Sequence, residues 1–265
     1  MSKHTHPTQV LQSSTSDLIS NPPCRLVLLI RVIWLMFWLC LATFLVFLPI
    51  SIGSFFSRTG NFAFHVSRMW ARIILMVTRV RVRVSGGEKI DRNRSYVIIA
   101  NHQSHFDGPA LALGLGTQFR WIAKQELQRI PLFGHALTSA GCIFIDRSSG
   151  NAAVESIKRG VRNLASGVSV MCFAEGTRSQ NGRMGAFKKG GFVAAVDRGL
   201  PILPVTITGS AQVLPRGRMT YSPGTIQLTV GDPIDTSGYS LEQIDGLIQR
   251  TRDAVMNPYA ADAAD

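Results

Sequence analysis

Acidic residues are scarce in this sequence, and charged residues of either sign are few. Charged residues make up 17% of the 265 residues, below the roughly 25% of ordinary soluble domains. Lysine and arginine number 28 against 16 aspartate and glutamate, so the formal net charge is +12. The shortage of charge indicates that part of the chain contacts something other than water. Its sign indicates anionic partners, such as nucleic acid, lipid headgroups or phosphate-bearing substrates.

Cysteine is also sparse. The chain has four, Cys24, Cys40, Cys142 and Cys172, and they form neither a CxxC pair nor the even spacing of a disulfide framework. This usage is typical of a protein in a reducing compartment, and it excludes a fold held together by disulfides.

Charge is missing altogether from one long segment. The 26 residues from Val32 to Ser57 carry no formal charge, and about 20 apolar residues suffice to cross a bilayer. We therefore predict a membrane anchor, the alternative being a buried helix of a soluble protein. Pro49 and Gly53 interrupt the run, which leaves open whether it spans the bilayer or turns back within it.

Basic residues surround this apolar segment. Up to Ser85 the chain has nine basic residues and a single acidic one, Asp17. A basic collar around an apolar segment favours anionic membrane lipids over nucleic acid as the partner. The denser positive flank follows the segment. For a single span, this predicts the C-terminal domain on the cytoplasmic face of the inner or plasma membrane.

A second helix is predicted after the apolar run, with a basic and an apolar stripe on opposite sides. The basic stripe consists of His65, Arg68, Arg72 and Arg79, and the apolar stripe of Met69, Trp70, Ile73, Ile74 and Val77. Such a helix suits the headgroup layer of a membrane. An ordinary helix packed on the domain would show the same pattern.

From residue 80 onwards, short apolar strands alternate with helical patterns. Strands are expected at 80–84, 96–100, 120–123, 142–146, 168–173, 202–208 and 225–230. Helices are expected at 151–165 and 187–198, with a last one from Ser240, where Gln243 completes a capping box. This alternation predicts an α/β fold with a mostly parallel sheet flanked by helices.

The predicted chain therefore has four parts. A polar tail at 1–22 is expected to be disordered, and membrane-anchoring helices are expected at 23–79. The α/β domain is expected at 80–257, followed by a C-terminal tail at 258–265.

The segment Asn101-His-Gln-Ser-His-Phe-Asp107 directly follows a predicted strand. In a loop that turns into a helix near Gly108, the carboxylate of Asp107 can fold back onto the imidazole of His102. A carboxylate on one ring nitrogen fixes the tautomer and leaves the other nitrogen as a general base. This is a Ser-His-Asp triad without its nucleophile. The sequence has no G-x-S-x-G, so the substrate's own hydroxyl would take that role.

Two other interpretations of this segment remain open at this stage. Asp107 can cap the following helix while His102 is a surface residue. Alternatively, His102, His105 and Asp107 can hold a metal ion, although no fourth ligand stands at a characteristic spacing.

A second polar cluster, Phe173-Ala-Glu-Gly-Thr-Arg-Ser179, also follows a predicted strand. Gly176 permits an unusual backbone turn, and the planar fork of Arg178 suits a phosphate. Glu175 can position that arginine or bond a substrate hydroxyl. The plainer alternative is a charged turn in which Glu175 and Arg178 pair with each other.

Two more basic residues close predicted strands. Arg147 ends the segment Gly141-Cys-Ile-Phe-Ile-Asp-Arg147, and Lys124 ends the strand before it. In open α/β sheets, ligands bind beyond the carboxyl ends of the strands. The strand ends at 101, 147 and 175 are therefore predicted to converge on one site that holds a base and two guanidinium groups. Lys124 closes a strand in the same way, although a lone lysine is usually just solvated.

Taken together, these segments resemble the glycerolipid acyltransferase family, which includes the 1-acylglycerol-3-phosphate acyltransferases among the lysophospholipid acyltransferases. Four blocks match in order, at 101–107, 123–147, 173–179 and 200–207. The resemblance covers residues 80–235. Two positions depart from the family pattern. Ala174 stands where a proline is common, and Gln125 stands where a second lysine is common.

The resemblance implies a role for each matching residue. His102 would act as base on the acceptor hydroxyl, and Asp107 would orient it. The substrate-binding residues that it implies are Lys124, Arg147, Glu175, Gly176, Thr177 and Arg178. Among these, Arg147, Glu175 and Arg178 would contact a glycerol phosphate. An N-terminal helical pair would dock the domain on the membrane.

On this basis we expect an acyltransferase that moves a fatty acyl group from acyl-CoA or acyl carrier protein to lysophosphatidic acid, giving phosphatidic acid. The thioester is a co-substrate, and we expect no metal, no bound cofactor and no nucleic-acid partner. Two alternatives remain. The acceptor can be a different lysolipid, such as an amino-acid-based lipid, or the protein can be a non-enzymatic basic adaptor that binds anionic membrane lipids.

Overall fold

The structure, a computed structural model, describes residues 24–56, 60–131, 133–146, 149–179 and 184–262. The predicted tail at 1–22 lies outside these residues. The helices are α1 (Arg25–Phe56), α2 (Asn61–Val77), α3 (Asp107–Gly114), α4 (Phe133–Ser139), α5 (Gly150–Arg162), α6 (Gly190–Arg198), α7 (Ser210–Val213) and α8 (Ile244–Asp262). The strands are β1 (Val80–Ser85), β2 (Val97–Ala100), β3 (Phe119–Lys124), β4 (Ile143–Ile145), β5 (Ser169–Phe173), β6 (Ile202–Thr208) and β7 (Gly224–Val230).

The strands form one sheet in the order β1-β7-β6-β2-β5-β3-β4. Five neighbours, β6, β2, β5, β3 and β4, run parallel. β7 pairs with β6 in antiparallel orientation, and β1 pairs with β7 in parallel orientation. The carboxyl ends of the five parallel strands therefore share one edge of the sheet. The predicted mostly parallel α/β fold is confirmed.

The central strands are mostly apolar because helices cover both faces of the sheet. β2 and β6 are buried at every position. On one face, α2 and α3 pack over a cluster that includes Ile98 and Leu203. On the other face, α5, α6 and α8 pack over a cluster that includes Ile99 and Val170. This two-sided cover leaves the edge of the sheet as the place where polar side chains can gather.

Helix α1 has far more apolar surface than the rest of the chain covers. Its 32 residues span about 48 Å at 1.5 Å per residue. The part Arg25–Gly53 has a mean hydropathy of 2.4 and is long and apolar enough to cross a membrane. Its buried residues form a narrow stripe of Leu35, Ala42, Val46 and Ile50. Large apolar side chains on its other sides, such as Phe37 and Leu48, are exposed, and so continuous an apolar surface marks a contact with lipid or protein.

The two predicted stripes of the second helix are partly right. α2 ends at Val77, and Arg79 follows it in the left-handed region with a φ of 56°, so Arg79 does not extend the basic stripe. Ile74 is not on a free apolar face. The buried residues of α2 are Ala63, Phe64, Ala71, Ile74 and Leu75, and they pack against α1 and α3. A separate apolar stripe stays exposed, formed by Phe62, Met69 and Met76 at seven-residue intervals.

Several predicted helix bounds differ from the structure, and α5 (Gly150–Arg162) ends three residues before the predicted 165. α6 begins at Gly190 rather than 187, because Lys188 N–H donates to the carbonyl of Ala174 and draws the preceding residues to another loop. The last helix begins at Ile244, since the hydroxyl of Ser240 bonds the carboxylate of Glu242 instead of capping a helix. That helix then continues through Pro258 to Asp262, so residues 258–262 are helical where a tail was predicted.

Candidate active site

The order of the sheet brings two polar loops together. β2 and β5 are hydrogen-bonded neighbours, so the loops that leave their carboxyl ends emerge side by side. The loop after β2 begins with Asn101, whose side-chain amide donates to the carbonyl of Ile207 and accepts from its N–H at 2.8 and 2.7 Å. This pair of hydrogen bonds to β6 fixes the direction in which the chain leaves the sheet.

His102 and Asp107 meet in that loop. Nδ1 of His102 lies 2.7 Å from Oδ2 of Asp107, whose side chain is fully buried. The same oxygen accepts the backbone N–H groups of Gln103 and Ser104 at 2.7 and 2.9 Å. These bonds point back into the loop, so Asp107 organises the loop and is not the cap of α3, which begins at Asp107 itself.

The imidazole of His102 is held from a second side by an aromatic ring. The rings of His102 and Phe173 stack with centroids 3.9 Å apart and planes 13° apart. Phe173 stacks in turn on Trp121 at 5.9 Å. The His102 side chain is 20% exposed, and within the described ranges no residue bonds its Nε2. An imidazole with one nitrogen bound to a carboxylate and the other nitrogen free can accept a proton from a bound hydroxyl.

Glu175 lies at the junction of the two loops and faces the protein interior. One carboxylate oxygen accepts the N–H of His102 at 2.9 Å, and the other accepts the N–H of Gly185 at 2.7 Å. The hydroxyl of Ser179 lies within 2.9 Å of both oxygens and also reaches the carbonyl of His102. Glu175 is therefore the tie between the segments after β2, after β5 and before α6. Its buried oxygens are already used within the protein, so the geometry favours positioning over direct contact with substrate.

The rest of this loop carries a cation, the guanidinium of Arg178. Gly176 has a φ of 70°, a conformation that glycine adopts without strain. It turns the chain so that Thr177 is exposed and Arg178 is half-buried. Within the part of the chain that the structure describes, no carboxylate pairs with Arg178. The predicted alternative of a Glu175–Arg178 pair is therefore absent.

His105 lies close enough to Arg178 and His102 to interact electrostatically with both side chains. Burial lowers the pKa of His105, and the neighbouring Arg178 and His102 lower it further. A lowered pKa keeps the His105 ring uncharged at neutral pH. Of His105 and Arg178, the guanidinium of Arg178 is therefore the cation at neutral pH.

Of the two remaining predicted binding residues, Lys124 stands further along the sheet edge. Lys124 ends β3 and is exposed. β3 is two strands from β2, which corresponds to about 10 Å at the usual strand spacing. Arg147 lies outside the described residues, directly after the segment that follows β4. In the described ranges, no group of three His, Cys, Asp or Glu side chains could hold a metal ion, so His102, His105 and Asp107 do not form such a group.

Several residues of the site carried no clear signal in the sequence. In the sequence, Phe173 resembles any apolar strand residue. Its contact with His102 arises only because β2 and β5 are neighbours in the sheet. The segment 209–223, between β6 and β7, was not expected at the site at all. Nevertheless, Ser104 Oγ donates to the carbonyl of Leu214 at 2.9 Å, and Arg216 donates to the carbonyl of Arg178. Only the close spacing of Arg216 and Arg218 could have drawn attention to it.

Comparison with known proteins gives a consistent picture. The profile of the family described as Acyltransferase matches residues 81–208. A 1-acyl-sn-glycerol-3-phosphate acyltransferase of Pseudomonas aeruginosa is 36% identical over 190 residues, which are 70% of this chain and 73% of that protein. The chloroplastic 1-acyl-sn-glycerol-3-phosphate acyltransferase LPAT1 of Arabidopsis thaliana is 32% identical over 179 residues, 67% of this chain. The match spans only half of that plant protein, 50% of its length.

The fold is similar to one solved structure over almost its whole length. The crystal structure of the 1-acyl-sn-glycerophosphate (LPA) acyltransferase PlsC from Thermotoga maritima superposes with a TM-score of 0.77 and 27% sequence identity. The superposition covers 91% of this chain and 98% of that one. Most of the N-terminal helices of this chain must therefore have counterparts there, and not only the sheet.

Proposed function

This chain belongs to the acyltransferase family, and from that membership we propose that it acylates the free hydroxyl of lysophosphatidic acid to give phosphatidic acid. The acyl group would come from the thioester of acyl-CoA or of acyl carrier protein. One observation carries the proposal: the His102–Asp107 pair lies on the loop after β2, beside the loop after β5 that carries Arg178, which has no carboxylate partner among the described residues. A base and a cation placed together suit an acceptor with a hydroxyl and a phosphate.

The proposed reaction is direct transfer between two bound substrates. Nε2 of His102 takes the proton of the acceptor hydroxyl while its oxygen attacks the thioester carbonyl carbon. The tetrahedral intermediate collapses, the carbon–sulfur bond breaks, and the imidazolium returns its proton to the departing thiolate. Asp107 stabilises the positive imidazolium through Nδ1. The substrate supplies the nucleophile, so no serine or cysteine of the chain is acylated.

The same geometry suggests where the acceptor lies. Its phosphate would bind the guanidinium of Arg178, with Lys124 and Arg147 as further cations at the sheet edge. Gly176 and Thr177 would shape the turn that presents Arg178. Glu175 would act through its bonds to the backbone of both loops.

We further propose that α1 and α2 hold this edge of the sheet at a membrane, with the domain on the cytoplasmic side. Support comes from the exposed apolar surface of α1 and from the exposed stripe of Phe62, Met69 and Met76 on α2. Basic residues border both helices, as anionic lipid headgroups require. Lysophospholipids reside in the membrane, so an anchored enzyme meets its acceptor there.

The proposal is tested by incubating the detergent-solubilised protein with labelled acyl-CoA, or with acylated carrier protein, and lysophosphatidic acid. We expect labelled phosphatidic acid, with initial-rate lines that intersect when both substrates are varied. Parallel lines together with a trapped acyl-enzyme would contradict direct transfer. Product formed only from another lysolipid, such as an amino-acid-based one, would change the acceptor. Binding of anionic lipid with no transfer to any acceptor would indicate a non-enzymatic adaptor.

The stack of Phe173 on His102 predicts a kinetic effect that leaves substrate affinity unchanged. Substitution Phe173→Leu keeps an apolar side chain but removes the ring that holds the imidazole. Aromatic pairs contribute about 0.5 to 1.5 kcal/mol beyond their burial, so we expect kcat to fall about three- to tenfold. KM for both substrates should change little, and Phe173→Tyr should restore kcat.

The matched control is Phe144→Leu on β4, which makes the same change in a strand that does not touch His102. The effect is measured as the steady-state rate of phosphatidic acid formation by Phe173→Leu, Phe173→Tyr and Phe144→Leu. Equal losses in Phe173→Leu and Phe144→Leu, or a loss that Phe173→Tyr does not restore, would show that the stack does not position the imidazole.

A further inference from the structure

The segment 209–223, which we call the β6–β7 connection, is bonded to both loops of the candidate site. Ser104 in the loop after β2 donates its hydroxyl to the carbonyl of Leu214 at 2.9 Å. Arg216 donates from Nη1 to the carbonyl of Arg178, in the loop after β5, at 2.5 Å. The β6–β7 connection is thus a third wall of the site, and it lies outside the four sequence blocks that match the family.

This wall places a second guanidinium, that of Arg216, against the backbone of the loop that carries Arg178. A guanidinium has five N–H donors, and the bond to the Arg178 carbonyl uses a donor on one nitrogen of Arg216. Arg216 is exposed, and among the described residues no carboxylate pairs with it or with Arg178. The bond ties the side chain of Arg216 to the residue that carries the other guanidinium, which brings two positive charges to one loop.

Among the described residues, the carboxylates of the site form no ion pair with Arg178 or Arg216. Asp107 is fully buried and bonded to His102 and to two backbone N–H groups. Glu175 is buried and bonded to Ser179, Gly185 and His102. Two positive charges on neighbouring segments repel each other, and an anion bound by both would offset that repulsion. A group with two negative charges and several acceptor oxygens would satisfy both guanidinium groups.

We propose that Arg216 is a second phosphate-binding residue for the acceptor and selects a phosphate monoester over a diester or an uncharged headgroup. This rests on the proposed acylation of lysophosphatidic acid. A monoester phosphate carries between one and two negative charges at neutral pH and has three terminal oxygens. It can therefore be shared between Arg178 and Arg216. A diester has one charge and two terminal oxygens, so it gains less from the second guanidinium.

The test compares Arg216→Gln and Arg216→Lys with the wild type. Glutamine keeps an amide donor on a shorter side chain and has no charge, whereas lysine keeps the charge. The matched control is Arg218→Gln, which removes an exposed arginine two residues further along the same connection. For each protein, kcat and KM are measured with lysophosphatidic acid and with a monoacylglycerol. Binding of lysophosphatidic acid to the same proteins is measured by titration calorimetry in detergent.

We expect Arg216→Gln to raise KM and Kd for lysophosphatidic acid about ten- to a hundredfold, the range for one charge-assisted contact. KM for the acyl donor and the rate with monoacylglycerol should stay within about twofold. Arg216→Lys should recover part of the affinity, and Arg218→Gln should behave as the wild type.

Three results would overturn the inference while leaving the proposed function intact. These are phosphatidic acid formation with unchanged KM and Kd in Arg216→Gln, an equal loss with monoacylglycerol, and a loss of kcat alone. The last would mean that Arg216 only holds the Arg178 loop. A wild type that neither binds nor acylates lysophosphatidic acid would instead overturn the proposed acceptor, and this inference with it.

Discussion

Replacement of His102 by alanine is expected to lower kcat by about a hundredfold to ten-thousandfold, the usual contribution of a positioned general base. Nδ1 of His102 is bound to Asp107, so Nε2 is the ring nitrogen proposed to take the proton. Alanine has no such nitrogen and leaves the acceptor hydroxyl without a proton acceptor. The residues proposed to bind phosphate are untouched, so KM for lysophosphatidic acid should change little. The rate of phosphatidic acid formation from labelled acyl-CoA measures the effect. Added imidazole should restore part of the rate, because the ring stacked on Phe173 leaves space in this variant.

The control for this prediction is His65→Ala. His65 is exposed and lies beside Gln118 at 3.4 Å, at the amino end of β3 and far from the candidate site. This variant should keep the activity of the wild type. A His102→Ala protein that is folded and still forms phosphatidic acid at more than about a tenth of the normal rate would exclude His102 as the base.

Substitution Glu175→Ala is expected to lower both stability and activity, with a loss of about 3 to 5 kcal/mol in the free energy of unfolding. It leaves the N–H groups of His102 and Gly185 and the hydroxyl of Ser179 without their acceptor. These groups belong to three different segments, so the loops after β2 and β5 should separate. We expect acyl transfer to fall below detection, because the backbone of His102 is one of the groups released. Chemical denaturation in detergent measures the stability.

Glu155→Ala is the matched control, since Glu155 is an exposed glutamate on α5 paired only with Lys158 at 3.3 Å. Exposed pairs contribute little, so its stability should stay within about 0.5 kcal/mol of the wild type. A Glu175→Ala protein with normal stability but a raised KM would show that Glu175 binds substrate, as the family resemblance implies, and does not join the loops.

The sequence predicts the parts of the site better than it predicts how they assemble. A single loop of six residues contains both His102 and Asp107, so local chain geometry suffices to suggest their contact. The approach of Glu175 to His102 depends instead on β5 inserting between β2 and β3 in the sheet. Strand order of this kind arises from the helical crossovers and cannot be read from local patterns. For the same reason, the stack of Phe173 on His102 has no signature in the sequence.

The second helix shows a different limit of sequence analysis. Its helical wheel has apolar residues on more than one side, and a wheel cannot tell which of them meet the sheet and which stay exposed. In the structure Ile74 is buried and Met69 is exposed, although both belong to the predicted apolar stripe. Arg216 was missed because two arginines close together in a polar connection, Arg216 and Arg218, do not indicate a site by themselves. Its importance depends on where β6 ends relative to β5.

The burial of α2 limits how this protein can be divided. Phe64, Ala71 and Ile74 complete the same apolar cluster as Ile98 and Leu203 of the central strands. A fragment starting at β1 would open that cluster to water and would aggregate. Cleavage ahead of the sheet is therefore expected to destabilise the α/β domain, so α2 belongs to the folding unit of the sheet as well as to the N-terminal helical pair.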